Sequence, residues 1–187
     1  MTDSQNLTFA HFSAADAEQI LESVVAPIYA ATHADVISSA FYDPDRFLQR
    51  VRGYMRSPGF ELVTATAKAE PAGLALGYAL TAGARWWQGL TTEVDPDAIA
   101  ENGHRTFALC ELMVHPKLQR LGIARAIHDE LLRSRPEDRA TLLVRDDNTA
   151  AQTAYAKWGW TKLGKLQPYP DSPNYDALLL PLRAGAI

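Results

Sequence analysis

Phe107-Ala-Leu-Cys-Glu-Leu-Met-Val114 runs into His115-Pro-Lys-Leu-Gln-Arg-Leu-Gly-Ile-Ala124, and the order of these two stretches decides the fold. The first is an apolar run that reads as a strand, interrupted by one acidic residue, Glu111. The second is a short turn containing Gly122. From about Leu121 to Arg135, Ala124, Ile127 and Leu131 then recur on one helical face. Strand, turn and helix in that order make an anion site, because the first four helical N–H groups lack intrahelical partners and the macrodipole adds partial positive charge. The segment therefore points to a phosphate-bearing ligand. Gly122 lets the backbone approach a ligand unhindered, and Gln119, Arg120 and Arg125 add donors or charge. The turn has neither the three glycines and distal acid of a dinucleotide fingerprint nor the Gly-Lys-Ser/Thr ending of a phosphate loop. Taken alone, it is equally an ordinary strand-to-helix connection.

Outward from this segment the chain alternates helical and strand patterns. Ser13-Ala-Ala-Asp16 reads as a capping box ahead of Ile20, Leu21, Val24, Val25 and Ile28, and Pro27 should end or bend that helix. Asp43-Pro44 predicts an N-cap with proline at the first helical position, followed by one face of Phe47, Leu48, Val51, Tyr54 and Met55. Leu62–Ala67 and Leu74–Ala82 are strand-like and form a hairpin across Glu70-Pro-Ala-Gly73. Residues 85–105 are long for a connection inside a domain, and Asp95-Pro-Asp-Ala98 predicts a short helix within them. Thr141–Val144 reads as a buried strand and Asn148–Trp158 as a helix with Gly159 just past its end. Trp160–Leu166 and Tyr175–Leu182 read as two closing strands. The sum is a mixed-sheet α/β domain.

The 187 residues suit one domain, 1–187, with a sizeable core. A net charge of −4 with scattered Lys and Arg argues against nucleic acid as a partner. No run approaches the roughly 18 apolar residues of a membrane helix. Met1–Asn6 lacks the basic and apolar regions of a signal peptide, and a single cysteine suits a reducing cytoplasm, so the expected location is cytoplasmic.

A second constellation is Asn148-Thr-Ala-Ala-Gln-Thr-Ala-Tyr155-Ala-Lys-Trp-Gly-Trp160. Asn148 is a natural N-cap, and Tyr155 lies two helical turns on, near the same face. Gln119, Gly122 and Ala124, followed by Asn148, Ala151, Tyr155, Gly159 and Trp160, make the chain resemble the GNAT superfamily of acyl-CoA-dependent N-acetyltransferases. Arg120 is a departure, since many members carry glycine there. The resemblance implies a GNAT-like fold: a mixed, mostly antiparallel central sheet flanked by about four helices and splayed at its central strands. It places two variable substrate-side helices in residues 1–58 and an acetyl-CoA-binding core in residues 60–182. Met113 and Val114 would bond the pantetheine through their backbone, and Asn148 would sit near the pantetheine arm. Gln119, Arg120, Leu121, Gly122, Ile123, Ala124 and Arg125 would hold the pyrophosphate.

The implied reaction moves an acetyl group from acetyl-CoA to a primary amine by direct attack. An ammonium ion has no lone pair, so a base must first remove a proton. Glu111 is the candidate base, because alternation puts it with Leu109 and Met113 and burial would raise its pKa. The alternative is a carboxylate paired with an arginine or exposed at a bulge. Tyr155 resembles the acid that protonates the leaving thiolate. Cys110 alternates to the opposite face and reads as a small buried side chain. Trp86, Trp87 and His33 are candidate acceptor contacts, with the Trp pair equally readable as packing on a sheet edge. The expected acceptor is a small-molecule amine. A peptide or protein amine is the alternative acceptor, and a non-catalytic acyl-CoA-binding regulator is the alternative function. No metal site is expected, and a homodimer is compatible with the sequence.

Overall fold

Capping side chains set most helix boundaries in the computed structural model, which describes residues 7–183. The Ser13 hydroxyl accepts the Asp16 N–H at 3.4 Å and starts α1 (Ala14–Ala17). The helical run then changes its winding through a 3-10 turn, Glu18–Ile20, and a π turn, Leu21–Val25, before α2 (Ala26–Thr32). Pro27 therefore does not end the run. The π turn lets α2 begin afresh with proline in its first turn, where a missing N–H donor costs nothing. Asp43 accepts the Arg46 N–H at 2.9 Å ahead of α3 (Pro44–Tyr54), which buries Phe47, Leu48 and Val51. Asp95 caps α4 (Pro96–Ile99) through the Asp97 N–H, also at 2.9 Å. Helix α5 (Ile123–Leu132) begins at Gly122 without a side-chain cap. Asn148 caps α6 (Thr149–Lys157) by accepting the Ala151 N–H at 3.1 Å, and Gly159 follows at φ +93°.

The strands are β1 (Leu7–Phe12), β2 (Glu61–Ala67), β3 (Glu70–Ala79), β4 (Thr106–Val114), β5 (Arg139–Arg145), β6 (Thr161–Leu166) and β7 (Tyr175–Pro181). Their order in the sheet is β1-β2-β3-β4-β5-β7-β6. The ladders of β1 on β2, β2 on β3, β5 on β7 and β6 on β7 are antiparallel. That of β4 on β5 is parallel, joining Thr106 to Arg139, Phe107 to Ala140 and Ala108 to Thr141, and β4 runs on beyond it. This is the mostly antiparallel mixed sheet that the resemblance implies.

Two further features differ from the sequence reading. β1 has no counterpart in it, and this strand pairs with β2 from Leu7 opposite Ala67 to Phe12 opposite Leu62. The hairpin turn lies at Lys68 and Ala69, both at positive φ, and not at residues 70–73, which already belong to β3. Pro71 sits opposite Thr66 beside a bulge, where the register shifts between Ala65 and Thr66 and passes over Ala72.

The chain forms two compact units. The first contains the described residues up to Tyr78 together with Cys110–Arg135. Its core is built on Leu21, Tyr29, Phe47, Val51, Leu62 and Leu76. In it the His11 ring bridges the Glu61 and Glu130 carboxylates at 2.7 and 2.9 Å, tying β1 to α5. The second contains Ala79–Leu109 and the described residues from Pro136 onward, with Phe107, Leu142, Trp160 and Ala177 buried. Among the described residues no helix is long and apolar enough to cross a membrane. The reading of Met1–Asn6 lies outside the described residues.

Candidate active site

Glu111 stands towards the C-terminal end of β4, in the first unit, within electrostatic reach of Tyr29 on α2 and of Arg50 and Tyr54 on α3. The residue keeps some surface access, yet burial pushes its carboxyl up from the usual 4.5 to about 7, against the opposing pull of the Arg50 guanidinium. Among the described residues no hydrogen bond or ion pair within 4 Å holds this carboxylate, which is why desolvation dominates. A carboxyl with a pKa near 7 is suited to taking a proton at neutral pH.

The wall around it is aromatic and one-sidedly cationic. Tyr29, buried on α2, stacks on Phe47 of α3 with ring centroids 3.7 Å apart and on His33 at 4.2 Å, and its hydroxyl donates to the Tyr42 carbonyl at 3.1 Å. Tyr54 stacks on Tyr78 at 5.4 Å. Burial first, then the neighbouring Cys110 and Glu111, hold the Tyr54 hydroxyl well above its ordinary pKa. The Cys110 thiol is likewise pushed up by burial and by Glu111, so it stays protonated and is not a nucleophile. The Arg50 guanidinium lies over the Phe41 and Phe47 rings at 5.4 and 5.6 Å and donates to the Phe41 carbonyl at 3.5 Å. His33 caps the end of α2, with its ring 5.4 Å from that of Tyr42.

Sequence reasoning missed Arg50, Tyr29 and Tyr54. The available signal was spacing: Phe47, Arg50 and Tyr54 fall three and four residues apart on one helical face, so an arginine sits within an otherwise aromatic row.

The turn before α5 also lies in the first unit and is open. Gly122 has φ +81°, and a Cβ built there meets nothing within 4 Å. Arg120 has φ +64°, so this departure from glycine keeps the left-handed turn at the cost of strain. Leu121 is 55% exposed. Whereas α1, α3, α4 and α6 each begin under a capping side chain, α5 begins under none and has no acid in its first turn. Met113 and Val114 are buried as side chains. The Val114 carbonyl accepts from the Gln119 side chain at 3.3 Å, and Arg125 pairs with Asp129 at 2.6 Å.

Tyr155 belongs to the second unit, on α6, half-buried. It meets Trp158 edge-on at 5.4 Å and Trp160 at 5.9 Å, so two indoles fix its ring. Asn148 spends its side-chain oxygen on the α6 cap. Trp87 is buried, and its indole N–H donates to Glu101 at 3.0 Å. Trp86 is half-buried beside it in sequence.

Residues 98–168, which span β4, the open turn and α6, match the family model described as an acetyltransferase (GNAT) domain. The chain carries a GNAT acetyltransferase domain. No curated protein matches it by sequence. Several solved structures share the fold. A GNAT family acetyltransferase from Elizabethkingia anophelis with acetyl-CoA bound is 14% identical at a TM-score of 0.63, over 95% of this chain and 99% of that one. The ribosomal-protein-S18-alanine N-acetyltransferase from Escherichia coli is 21% identical at 0.55, over 96% of each. The PaiA N-acetyltransferase from Thermoplasma acidophilum in complex with coenzyme A is 12% identical at 0.56, over 94% and 99%.

The co-substrate of GNAT acetyltransferases is acetyl-CoA, and the exposed N-terminus of α5 suits a pyrophosphate: it has no side-chain cap, no acid in its first turn, and room at Gly122. Gly122→Ala is expected to cost about 1–2 kcal/mol of stability in urea unfolding, through backbone strain alone since the space is free. A neutral result would mean that residue 122 does not hold its left-handed conformation in solution.

Proposed function

We propose that the chain transfers an acetyl group from acetyl-CoA to the primary amine of a small molecule in the cytoplasm, by direct attack. The observation that carries this reading is Glu111, a half-buried carboxyl with a pKa of about 7 on the strand that leads into the open turn of a GNAT domain. Residues 60–182 bind acetyl-CoA and residues 1–58 face the acceptor. Backbone N–H groups at the start of α5, with Gly122 and Arg120 shaping the turn, receive the pyrophosphate. The backbone of Met113 and Val114 lies along the pantetheine.

Glu111 takes a proton from the acceptor ammonium and frees the nitrogen lone pair. The nitrogen attacks the thioester carbonyl carbon, the new C–N bond forms, and the C–S bond breaks with its electrons on sulfur. Tyr155 gives that sulfur a proton, the second ammonium proton passes from the nitrogen through solvent to the Tyr155 phenolate as the amide forms, and Glu111 returns its proton to solvent. Fixed positioning of two substrates supplies much of the remaining acceleration.

The test is release of CoA by the purified full-length chain, given acetyl-CoA and a panel of small amines, peptides with free N-termini and lysine peptides. Turnover confined to small amines supports the reading, and turnover confined to peptides replaces the acceptor class. Tight acetyl-CoA binding without any turnover would favour a regulator. Tyr155→Phe is expected to lower kcat by about tenfold or more while the dissociation constant of acetyl-CoA stays within about twofold. Unchanged kcat would remove Tyr155 from the acid role.

A further inference from the structure

Arg50 presents a problem that the transfer reaction does not by itself explain. A guanidinium half-buried against Phe41 and Phe47 has given up much of its hydration. Such a charge is normally matched by a contacting carboxylate. Arg50 has weaker company: the Phe41 carbonyl at 3.5 Å, the Tyr29 hydroxyl, and the electric field of Glu111. Among the described residues no carboxylate pairs with it within 4 Å. The cation on α3 lies over Phe41 and Phe47, the carboxylate on β4 acts through space on it and on Tyr29 and Tyr54, and the two stop short of an ion pair.

A plain amine is a poor ligand for this arrangement. As an ammonium ion it would meet Glu111 favourably but would add a second positive charge close to a fixed one in a poorly hydrated place, where charge repulsion is strong. We infer that Arg50 receives the anionic end of the acceptor, so that the preferred acceptor is a small zwitterion whose ammonium group meets Glu111 and whose carboxylate meets Arg50. This rests on the transferase reading above and narrows it.

Charge stays balanced throughout. A neutral zwitterion enters a site holding one cation and one anion. When Glu111 takes the ammonium proton and the amide forms, the product is an anion beside Arg50 and a neutral carboxyl. The planar fork of arginine also suits a carboxylate better than a lysine would, since it can donate two parallel N–H bonds. Tyr29, Phe41 and Phe47 keep water from weakening that bond.

The experiment compares kcat/KM for a series of amino acids, with the two charged groups at different spacings, against their carboxamides. The carboxamides keep the shape and lose the anion. The full-length chain is assayed at pH 9, where Glu111 is ionised. At least one carboxylate is expected to be preferred by roughly 10- to 100-fold, the worth of a charge-assisted hydrogen bond. Arg50→Met should remove that preference by raising KM for the carboxylate, and Arg50→Lys should keep part of it. Carboxamides turned over as well as, or better than, their carboxylates by the unmodified chain overturn the inference and leave the transferase reading in place. So does a preference that survives in Arg50→Met. If Arg50→Met does not fold, the unmodified chain and Arg50→Lys still decide. Absence of CoA release with every acceptor overturns both readings.

Discussion

Glu111→Gln is expected to lower kcat/KM for acetyl transfer by about 10²- to 10⁴-fold, the usual worth of a positioned general base. It also flattens the rise of rate between pH 6 and pH 8, while acetyl-CoA binding stays within about twofold. The reason is the carboxyl's environment. With a pKa of about 7, Glu111 is roughly half ionised at neutral pH, and kcat/KM should climb as it loses its proton. An ordinary glutamate at 4.5 would be fully ionised and a much weaker base. The same shift acts on stability. Below pH 4.5 the group is protonated in both the folded and the unfolded chain. Between 4.5 and 7 the folded chain holds the proton more tightly, so the stability it contributes is lost as pH rises through 7, by at most roughly 3 kcal/mol. Glutamine carries no charge to desolvate. Glu111→Gln should therefore be at least as stable as the natural chain at pH 8 and show little gain near pH 4. A variant that is inactive but no less stable at pH 8 ties the loss to chemistry. A variant that keeps the limb near pH 7 shifts the base to another group.

How legible each element is in the sequence follows from how local its signal is. Ser13, Asp43, Asp95, Asn148 and Gly159 announce helix ends through bonds that reach two to four residues, and the folded chain places those ends within a residue or two. β1 is hidden because its evidence is a partner some fifty residues away, and its half-exposed residues alternate only weakly. The hairpin turn is hidden because Lys68 and Ala69 take positive φ without the glycine or asparagine that usually advertises it, while Pro71 and Gly73 advertise a turn that is not there. Gly73 serves a different purpose. A Cβ on it would come within 2.5 Å of the Met113 carbonyl, so it allows β3 to lie close against β4. In the site, Glu111 stands out as an acid in an apolar run, but Arg50 lies on a helix about sixty residues earlier, and only the tertiary fold brings the two within range of each other.

The long connection from residue 85 to 105 carries no motif that assigns it a purpose, and its energetics lead to a large expected stability loss. Glu101→Ala should cost about 3–5 kcal/mol, the usual result of leaving one charge of a buried pair alone. The Glu101 side chain is 2% exposed and that of Arg139, on β5, is 5% exposed, with 3.2 Å between them. One carboxylate oxygen of Glu101 also accepts from the Trp87 indole at 3.0 Å and from the Thr106 hydroxyl at 2.9 Å. Arg139 donates to Thr106 at 2.8 Å and to the Ala98 carbonyl at 2.8 Å, so it holds the end of α4 against the strands. Removing Glu101 strands the guanidinium, frees the indole N–H and releases the connection in one step. In thermal unfolding the loss should lower Tm by roughly 10 °C. A pair of controls separates the charge from the packing. Glu101→Gln should cost less than Glu101→Ala, since an amide can still accept from Trp87 and Thr106. The double variant Glu101→Leu with Arg139→Leu should be less damaged than the sum of its single changes, because neither charge is left without its partner. Equal and additive losses across this set would mean that the network is wet in solution and that the connection is held by its apolar contacts instead.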